Sequence, residues 1–426
     1  MSRPPRHPNL RFRVLARDGT ARAATFSTPH GDVATPVFMP VATRASLKGL
    51  TNAHVEAIGP GLVLANTYHL HLRPGEDVIH ALGGLHGFTG IHRPWITDSG
   101  GYQVFSLTDL VRVTDDGARL QSHLDGEPLF LGPREAMAIQ EALGADLVMA
   151  FDHCLALPAP REALSDAVDR TTRWARACAE ARTRDDQALF GIVQGGTDLE
   201  LRERSARELA DLDLPGYALG GLAVGEAARE TNATVRTTTG LLPHDRPRYL
   251  MGVGTPVQIL DAIAAGIDLF DCVLPTRLGR RGHLYTRDGI VRITHRRYER
   301  SDEALDPECP CEVCRTASRA YLRHLFAVGE QTATTLGTLH NVTFYVQLMR
   351  EAREEIREGT FAAFRAAFIG RYEAGEAAER GRQRTEPHGA GGGRRAHPER
   401  EARREADPRC QDATEEGLTL EGGDRR

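Results

Sequence analysis

The chain has 426 residues, of which 41% are hydrophobic and 26% are charged, and its formal net charge at pH 7 is -5. This length and apolar content exclude a small disulfide-stapled peptide and predict one large domain with additions, or two domains. The negative net charge excludes a protein that is basic all over, so any nucleic-acid contact must come from a local basic patch.

The cysteines and the N-terminus predict a reducing compartment. The seven cysteines are an odd number, and the first residues, MSRPPRHPNL, lack the apolar core of a secretory signal. No apolar run approaches the roughly 20 residues that a membrane-spanning helix needs. We therefore expect a soluble cytoplasmic protein with no membrane partner.

The predicted elements begin with an N-terminal hairpin or small sheet in residues 1–34, where apolar residues alternate around Asp18-Gly19. In residues 35–282, short apolar stretches alternate with segments whose apolar residues recur every three or four positions. These stretches begin at Thr35, Gly61, Pro94, Ala145, Ala188, Gly216, Pro247 and Gly266. Strands that alternate with helices in this way predict the α/β class, a (β/α)8 TIM barrel rather than an open sheet.

Two insertions interrupt the alternation and a third segment follows it. Residues 107–131 predict hairpins over the barrel mouth, and residues 282–293 predict another hairpin after the last strand. Residues 283–372 contain a cysteine cluster and helical patterns, which predict a zinc-binding subdomain with closing helices. Residues 373–426 have almost no apolar side chains, so we expect a disordered charged tail.

Polar residues fall at the carboxyl ends of four predicted strands, where barrel enzymes hold their active sites. They are Asp98, Asp152, Gln194 and Asp271. A carboxylate and an amide in one mouth can bind the donor edge and the carbonyl of a guanine-like ring. The motif DSGGY adds glycines that permit close approach of a ligand, and an aromatic side chain, Tyr102, that can stack on a base.

A predicted loop rich in arginine follows Asp271. It contains Thr276, Arg277, Arg280 and Arg281 between two glycines, a composition suited to a phosphate chain. An acid beside an anion-binding segment indicates chemistry on a nucleotide. Taken alone, the same stretch also fits a core strand with a salt-bridged aspartate and a solvated basic loop.

A metal set is predicted near the C-terminal end. Cys309, Cys311, Cys314 and His340 offer three thiolates and an imidazole, a closed tetrahedral set for one structural Zn²⁺. The pair His69 and His71 has the HxH spacing of barrel metallohydrolases, which is an alternative function. That alternative lacks the further histidine and aspartate ligands at later strand ends.

The ordered motifs resemble those of the bacterial tRNA-guanine transglycosylases. Residues 11–372 carry DSGGYQVFSL, FDHC, GIVQGG, LGGLAVGE, YLMGVGTP, GIDLFDCVLPTR and CPCEVC followed by RAYLRHLF. The resemblance implies a zinc-containing barrel enzyme that exchanges the wobble guanine of certain tRNAs for 7-aminomethyl-7-deazaguanine, on the route to queuosine. It also implies a homodimer. A non-catalytic RNA-binding paralogue is the alternative, although such a paralogue can lose the acids that this chain keeps.

The resemblance also implies roles for single residues. Asp271 is expected to be the nucleophile and Asp98 the acid/base. The expected base-binding residues are Ser99, Gly100, Gly101, Tyr102, Asp152, Cys154, Gln194, Gly221, Leu222, Val224 and Met251, with Tyr102 and Met251 on the two faces of the base. The expected RNA-contacting residues are Gly252, Val253, Gly254, Thr255, Pro256, Val257 and Gln258, and then Thr276, Arg277, Leu278, Gly279 and Arg280.

Base selection is expected to depend on the wall of the pocket. In the family, the residues at Cys154 and Val224 face the seven-position of the base, and relatives that accept the bulkier queuine carry glycine where Val224 stands. We therefore expect guanine and the aminomethyl base to be accepted and queuine to be excluded. The carbonyl of Leu222 is the expected acceptor for the amine.

Overall fold

A computed structural model describes residues 10–101 and 111–385, and the structural statements below concern these residues. The N-terminal unit is an antiparallel sheet of three strands in the order β1-β2-β3. These strands are β1 Arg13–Asp18, β2 Ala21–Thr28 and β3 Gly31–Thr35. The predicted hairpin is therefore confirmed and extended by one strand.

A closed barrel of parallel strands forms the centre of the molecule. Its strands are β4 Val37–Ala42, β5 Val63–Ala65, β6 Trp95–Thr97, β10 Leu147–Met149, β11 Ala188–Val193, β12 Gly216–Leu219, β13 Arg248–Leu250 and β14 Leu269–Cys272. The last strand pairs with the first, which closes the barrel. Side chains such as Met39, Phe190 and Tyr249 fill its interior. The prediction of a (β/α)8 barrel is confirmed, because each of the eight apolar stretches contains one of these strands.

Helices surround the barrel and bury their apolar faces against it. They are α1 Asn52–Ile58, α2 Thr67–Leu72, α3 Glu76–Ala81, α4 Gly84–Thr89, α5 Pro133–Leu143, α6 Arg161–Ala181, α7 Leu199–Ala210, α8 Ala228–Leu241, α9 Pro256–Ala264 and α10 Leu274–Arg280. In the longest of them, α6, the buried residues Val168, Trp174 and Cys178 recur at helical spacing. None of the helices in the described residues is long and apolar enough to span a bilayer.

The insertion after β6 forms a second antiparallel sheet in the order β7-β8-β9. Its strands are β7 Val111–Val113, β8 Ala118–Gln121 and β9 Pro128–Leu131. The predicted hairpin after the barrel is also present, as β15 His283–Thr286 and β16 Gly289–Arg292. Four helices follow, namely α11 Glu312–Thr316, α12 Arg319–Val328, α13 Gln331–Glu358 and α14 Phe361–Thr385.

The last helix corrects one predicted boundary. Helix α14 runs to Thr385, whereas the sequence predicted that order ends at Tyr372. Polar contacts hold this extension: Glu376 Oε1 accepts a hydrogen bond from Ile290 N at 2.5 Å, and Glu379 pairs with Arg297. Low hydropathy alone did not reveal it, because the extension is held by carboxylates rather than by an apolar face. Residues 386–426 lie outside the described residues.

Candidate active site

The barrel brings the predicted acids to one mouth. Asp98 follows β6, Asp152 follows β10 and Gln194 follows β11, while Asp271 lies in β14 next to its carboxyl end. Because all these strands are parallel, their carboxyl ends meet at the same rim. The negative charges of Asp271 and Asp152 each act on the carboxyl group of Asp98, so the three acids share one electrostatic environment.

The carboxylate of Asp98 is held by the start of α2. Thr67 N donates a hydrogen bond to Asp98 Oδ1 at 2.7 Å, and Asn66 Nδ2 donates to Oδ2. The pKa of Asp98 is raised to about 7, chiefly by burial and also by the neighbouring acids, while the backbone hydrogen bonds oppose the rise. Asp98 can therefore take up or release a proton near neutral pH, as a general acid or base must.

The carboxylate of Asp271 is oriented by two donors on one oxygen. Tyr249 Oη donates to Asp271 Oδ1 at 2.7 Å, and Gly252 N donates to the same oxygen at 2.8 Å. Burial raises the pKa of Asp271, while these two hydrogen bonds favour its ionised form. The result is a fixed carboxylate at the rim of the barrel.

Asp152 is buried between two polar side chains. Ser99 Oγ donates to Asp152 Oδ1 at 3.1 Å, and Gln194 Nε2 donates to Oδ2 at 2.7 Å. Burial raises the pKa of Asp152 to about 6. Gly101 is packed against this carboxylate, since a Cβ there would lie 2.4 Å from Asp152 Oδ1. Glycine at this position therefore keeps Asp152 in place.

Gln194 and Gly221 form the neighbouring wall. Gly221 has a φ of +62°, and a Cβ on it would lie 2.3 Å from Gln194 Oε1, so both conformation and space favour glycine. Behind them the fully buried guanidinium of Arg202 donates to Val193 O at 2.9 Å and to Gly221 O at 3.3 Å. Arg202 thus joins the ends of β11 and β12.

The LAVGE segment and Cys154 lie next to Gly221 and Asp152. Ala223 N donates to Glu226 Oε1 at 2.5 Å, and Val224 N donates to Glu226 Oε2 at 3.1 Å. Since the two polar groups of a trans peptide point in opposite directions, the carbonyl of Leu222 points away from Glu226. The thiol of Cys154 is buried, and burial raises its pKa to about 12, so it remains a neutral wall residue.

Met251 follows β13 and is partly buried at the same rim. Its predicted partner across the base, Tyr102, belongs to residues 102–110, which lie outside the described residues. Gly100 precedes them with a φ of +80°. The predicted base sandwich therefore stays a prediction.

The first predicted RNA-contacting segment leads from β13 into α9. Thr255 and Gln258 form a reciprocal capping box at the start of that helix, with Gln258 N donating to Thr255 Oγ1 at 3.3 Å. Val253, Gly254 and Pro256 are buried, whereas Gly252 is exposed and Val257 is partly exposed. The side chains of this segment thus mainly shape the loop.

The second predicted segment is not a loop, which is a correction. Residues 274–280 form helix α10, with Pro275 in its first turn, where the missing N–H costs nothing. Thr276 and Gly279 are buried, and Thr276 Oγ1 donates to Val273 O at 3.1 Å. Arg277, Leu278 and Arg280 are partly exposed, so the RNA-contacting role of this segment stays a prediction.

The four predicted metal ligands converge. The sulfur atoms of Cys309, Cys311 and Cys314 lie 3.8, 3.4 and 3.4 Å from Nδ1 of His340. His340 Nε2 lies 2.6 Å from the carbonyl oxygen of Tyr285. A carbonyl only accepts, so Nε2 carries the proton and the lone pair of Nδ1 faces the sulfurs. This cluster can hold a metal ion.

A second histidine cluster at the opposite end of the barrel is structural. His30 Nδ1 lies 2.8 Å and His86 Nε2 lies 3.4 Å from Asp146, and Trp95 N donates to the same carboxylate at 2.9 Å. The two imidazoles stack at 3.3 Å with an angle of 14° between their planes. Two such parallel planes cannot both contain one ion. The cluster instead fastens the β2–β3 turn to the barrel.

The HxH motif also proves structural. His69 and His71 lie within α2 rather than at a strand end, and residues two apart on a helix point to different sides. His71 Nδ1 bonds to Glu76 Oε2 at 2.7 Å. Neither histidine belongs to a metal-ligating group among the described residues. The HxH motif therefore no longer supports the alternative function of a barrel metallohydrolase.

Several residues that support the site were missed in the sequence. Tyr249, which bonds to Asp271, and Arg202, which joins the ends of β11 and β12, are buried inside a strand and a helix, and only their contacts reveal a role. Asn66 did carry a signal, because it is a polar residue directly after β5, like the acids that follow the other strands.

Fold and site together define the chain as an α/β-barrel enzyme with acids at the strand ends and, after the barrel, a Cys/His cluster that can hold a metal ion. The sequence matches the family described as TGT, queuine tRNA-ribosyltransferase, over residues 18–374. The chain belongs to this family, so the family predicted from the ordered motifs is confirmed.

Individual relatives are similar in sequence to this chain over nearly their whole length. The queuine tRNA-ribosyltransferase of Moorella thermoacetica is 50% identical over 371 residues, covering 87% of this chain and 100% of the relative. That of Thermus thermophilus is 52% identical over 362 residues, covering 85% and 94%. That of Thermosynechococcus vestitus is 53% identical over 346 residues, covering 81% and 92%.

Proposed function

We propose that this protein is a tRNA-guanine transglycosylase, a pentosyltransferase that exchanges the wobble guanine of tRNAs for 7-aminomethyl-7-deazaguanine. The observation that carries the proposal is the pairing of Asp98 and Asp271 at one barrel mouth in a chain of this family. A non-catalytic RNA-binding paralogue has no need for two such acids. The activity belongs to the cytoplasm, where tRNA is found.

The first step is a displacement at the anomeric carbon of the ribose. Asp271 attacks this carbon, the glycosidic bond breaks, and guanine leaves with the bonding electrons and takes up the proton that Asp98 carries. Tyr249 and Gly252 both donate hydrogen bonds to Oδ1 of Asp271. The other oxygen of the carboxylate, Oδ2, is therefore the one that attacks the anomeric carbon. The RNA is then bound to Asp271 by an ester. Before this step, the guanine must be turned out of the anticodon stack.

The second step reverses the first with a new base. The incoming base loses its proton to Asp98, and its nitrogen displaces Asp271 from the anomeric carbon. Two inversions give net retention. A pKa of about 7 suits Asp98 to accept this proton and return it. No nucleotide cofactor is needed, because the ester conserves the energy of the bond.

Asp152, Gln194 and Gly221 are the proposed base readers. The carboxylate of Asp152 accepts from the amino edge of a guanine-like ring, while the second proton on Gln194 Nε2 is available to the ring carbonyl. Ser99 and Gly101 hold Asp152 in position, and Gly100 leaves room for the ligand.

The same pocket favours the aminomethyl base. The peptide after Leu222 directs its N–H to Glu226, so its carbonyl is free to accept from the amine of the substrate. Val224 and Cys154 border this side of the pocket. Their bulk leaves space for an aminomethyl group but not for the ring that queuine adds.

Zinc is the proposed metal, one ion per chain. Tetrahedral coordination with zinc–sulfur bonds of 2.3 Å and zinc–nitrogen bonds near 2.05 Å places sulfur and nitrogen about 3.6 Å apart. The observed separations of 3.4 to 3.8 Å between the thiols and His340 Nδ1 fit this value. Four protein ligands leave no open position, so the ion would stabilise the subdomain and take no part in the chemistry.

A homodimer is also proposed. Helix α12 exposes two apolar side chains, Tyr321 and Val328, each 50% exposed, and aromatic residues such as tyrosine are enriched at subunit interfaces. Light scattering at several concentrations tests this, and a monomer throughout would refute it.

The activity is tested with radiolabelled guanine and an anticodon stem-loop. The wild-type protein should transfer label into RNA and form an RNA–protein adduct that survives denaturation. Asp271→Ala should do neither, yet should bind the stem-loop, because arginines rather than this carboxylate attract the phosphates. Substantial exchange by Asp271→Ala would place the nucleophile elsewhere.

A further inference from the structure

Helix α13 connects the metal cluster with the mouth of the barrel. It carries the ligand His340, then Asn341, and one turn later Tyr345. All three side chains are fully buried. Only the first faces the cysteines, so the polar groups of the other two serve another purpose.

Asn341 binds the segment that follows the nucleophile. Its Nδ2 donates to Pro275 O at 2.9 Å and to His283 O at 3.0 Å, while its Oδ1 accepts from Tyr285 N at 2.9 Å. Pro275 lies in the first turn of α10, directly after β14. One side chain therefore ties α10 and β15 to the helix of the metal ligand.

Tyr345 binds the segment on the other side of the nucleophile. Its Oη donates to Gly254 O at 2.5 Å. Gly254 belongs to the loop whose Gly252 N–H holds Asp271. Gly254 is packed directly against β14, because a Cβ on it would lie 2.1 Å from the Cβ of Cys272. The loop therefore has no space to move towards that strand.

The backbones of α10 and α13 are also in direct contact. A Cβ on Gly279 would lie 2.6 Å from Gly337 O, and a Cβ on Gly337 would lie 2.2 Å from Gly279 O. Both positions therefore require glycine for space. This contact fixes α10, and with it the side chains of Arg277 and Arg280, relative to α13.

We propose that Asn341 and Tyr345 are positioning residues that set the orientation of the Asp271 carboxylate from both sides. Packing alone does not require them, since phenylalanine would fill nearly the same volume as Tyr345 and a buried hydroxyl is costly unless it is bonded. The inference rests on the proposed role of Asp271. It gives α13 a function in catalysis besides holding the metal.

The test compares Tyr345→Phe with Tyr217→Phe. Tyr217 is likewise a buried tyrosine, but it lies in strand β12, and its hydroxyl accepts from Leu214 N at 3.1 Å at the amino end of that strand. Tyr345→Phe should lower kcat and the rate of adduct formation about tenfold, with KM for the stem-loop and metal content changed little and with a drop in melting temperature similar to that of Tyr217→Phe, which also loses one buried hydrogen bond. Tyr217→Phe should match the wild type in kcat.

The pH dependence of kcat distinguishes a positioning role of Tyr345 from a general loss of rigidity in the protein. The Gly252 N–H lowers the pKa of Asp271, so a looser loop raises that pKa, and less carboxylate is present at a given pH. The pH below which kcat falls should therefore be higher in Tyr345→Phe than in the wild type, and unchanged in Tyr217→Phe. If the two variants show the same kcat and the same pH dependence of kcat, the positioning role is refuted.

Asn341→Ser tests the other contact independently, so one variant remains decisive if the other fails to fold. It should lower kcat in the same way while Cys309, Cys311, Cys314 and His340 keep their metal. The wild-type protein is run in parallel. Absence of a wild-type adduct would refute the proposed function, whereas a wild-type adduct with unchanged rates in the folded variants would refute only the positioning role.

Discussion

Replacement of Gly101 by alanine should impair base recognition and leave the fold intact. The added Cβ would lie 2.4 Å from Asp152 Oδ1, 2.9 Å from Asp152 O and 3.0 Å from Ser99 Oγ. Carbon contacts need about 3.5 Å, so the carboxylate must move by roughly 1 Å. Gly101 does not have a positive φ, so the effect comes from space and not from backbone strain.

The magnitude follows from what Asp152 loses. It cannot turn aside without breaking its bonds to Ser99 at 3.1 Å and Gln194 at 2.7 Å. A hydrogen bond to a charged group contributes about 1.5–3 kcal/mol, which corresponds to a roughly 10- to 150-fold loss in kcat/KM for guanine. Affinity for the stem-loop should hardly change, because phosphate contacts dominate it.

The assay measures initial rates of labelled guanine incorporation at saturating stem-loop, with guanine varied. Gly240→Ala is the matched control, since a Cβ at Gly240 in α8 meets nothing within 4 Å. It should leave the rates unchanged and raise stability by about 0.5–1 kcal/mol. If folded Gly101→Ala protein shows a kcat/KM within about twofold of the wild type, the assignment of Asp152 as base reader is wrong.

Four further outcomes are expected. Chelation or Cys311→Ser should remove the metal and lower the melting temperature, measured by metal analysis and calorimetry; an active, metal-free preparation would contradict this. Deletion of residues 386–426, which are poor in apolar side chains, should leave exchange nearly unchanged; a large loss of tRNA affinity would reveal an RNA-binding arm. Val224→Gly should admit queuine, measured by competition with labelled guanine; equal competition by queuine in the wild type would refute the assigned selectivity. The pKa values of Asp98 and Asp152 are raised to about 7 and about 6, so both acids take up protons as the pH falls through this range. The value of kcat/KM for guanine should therefore drop there. A flat profile of kcat/KM from about pH 5.5 to 8 would contradict this expectation.

The sequence alone determined the barrel, the strand-end acids and the candidate metal ligands. These features depend on residues close together in the chain: side chains alternate every two residues in a strand and every 3.6 in a helix, and Cys309, Cys311 and Cys314 are near neighbours in the sequence. Eight apolar stretches separated by helical segments leave few ways to bury their side chains other than a closed barrel. Once the barrel is predicted, Asp98 and Asp271 must lie at the same rim.

Only the tertiary structure decided which groups hold those acids and where the ordered chain continues. Tyr249, Asn341 and Tyr345 are buried polar residues in regular elements, and their partners lie far away in sequence. The arginine-rich segment became helix α10 because it packs on α13 through Gly279 and Gly337, a contact that no local pattern contains. The physical reason is the same in each case: a hydrogen bond or a close packing contact depends on where two distant segments meet, whereas hydrophobic periodicity depends only on neighbours along the chain.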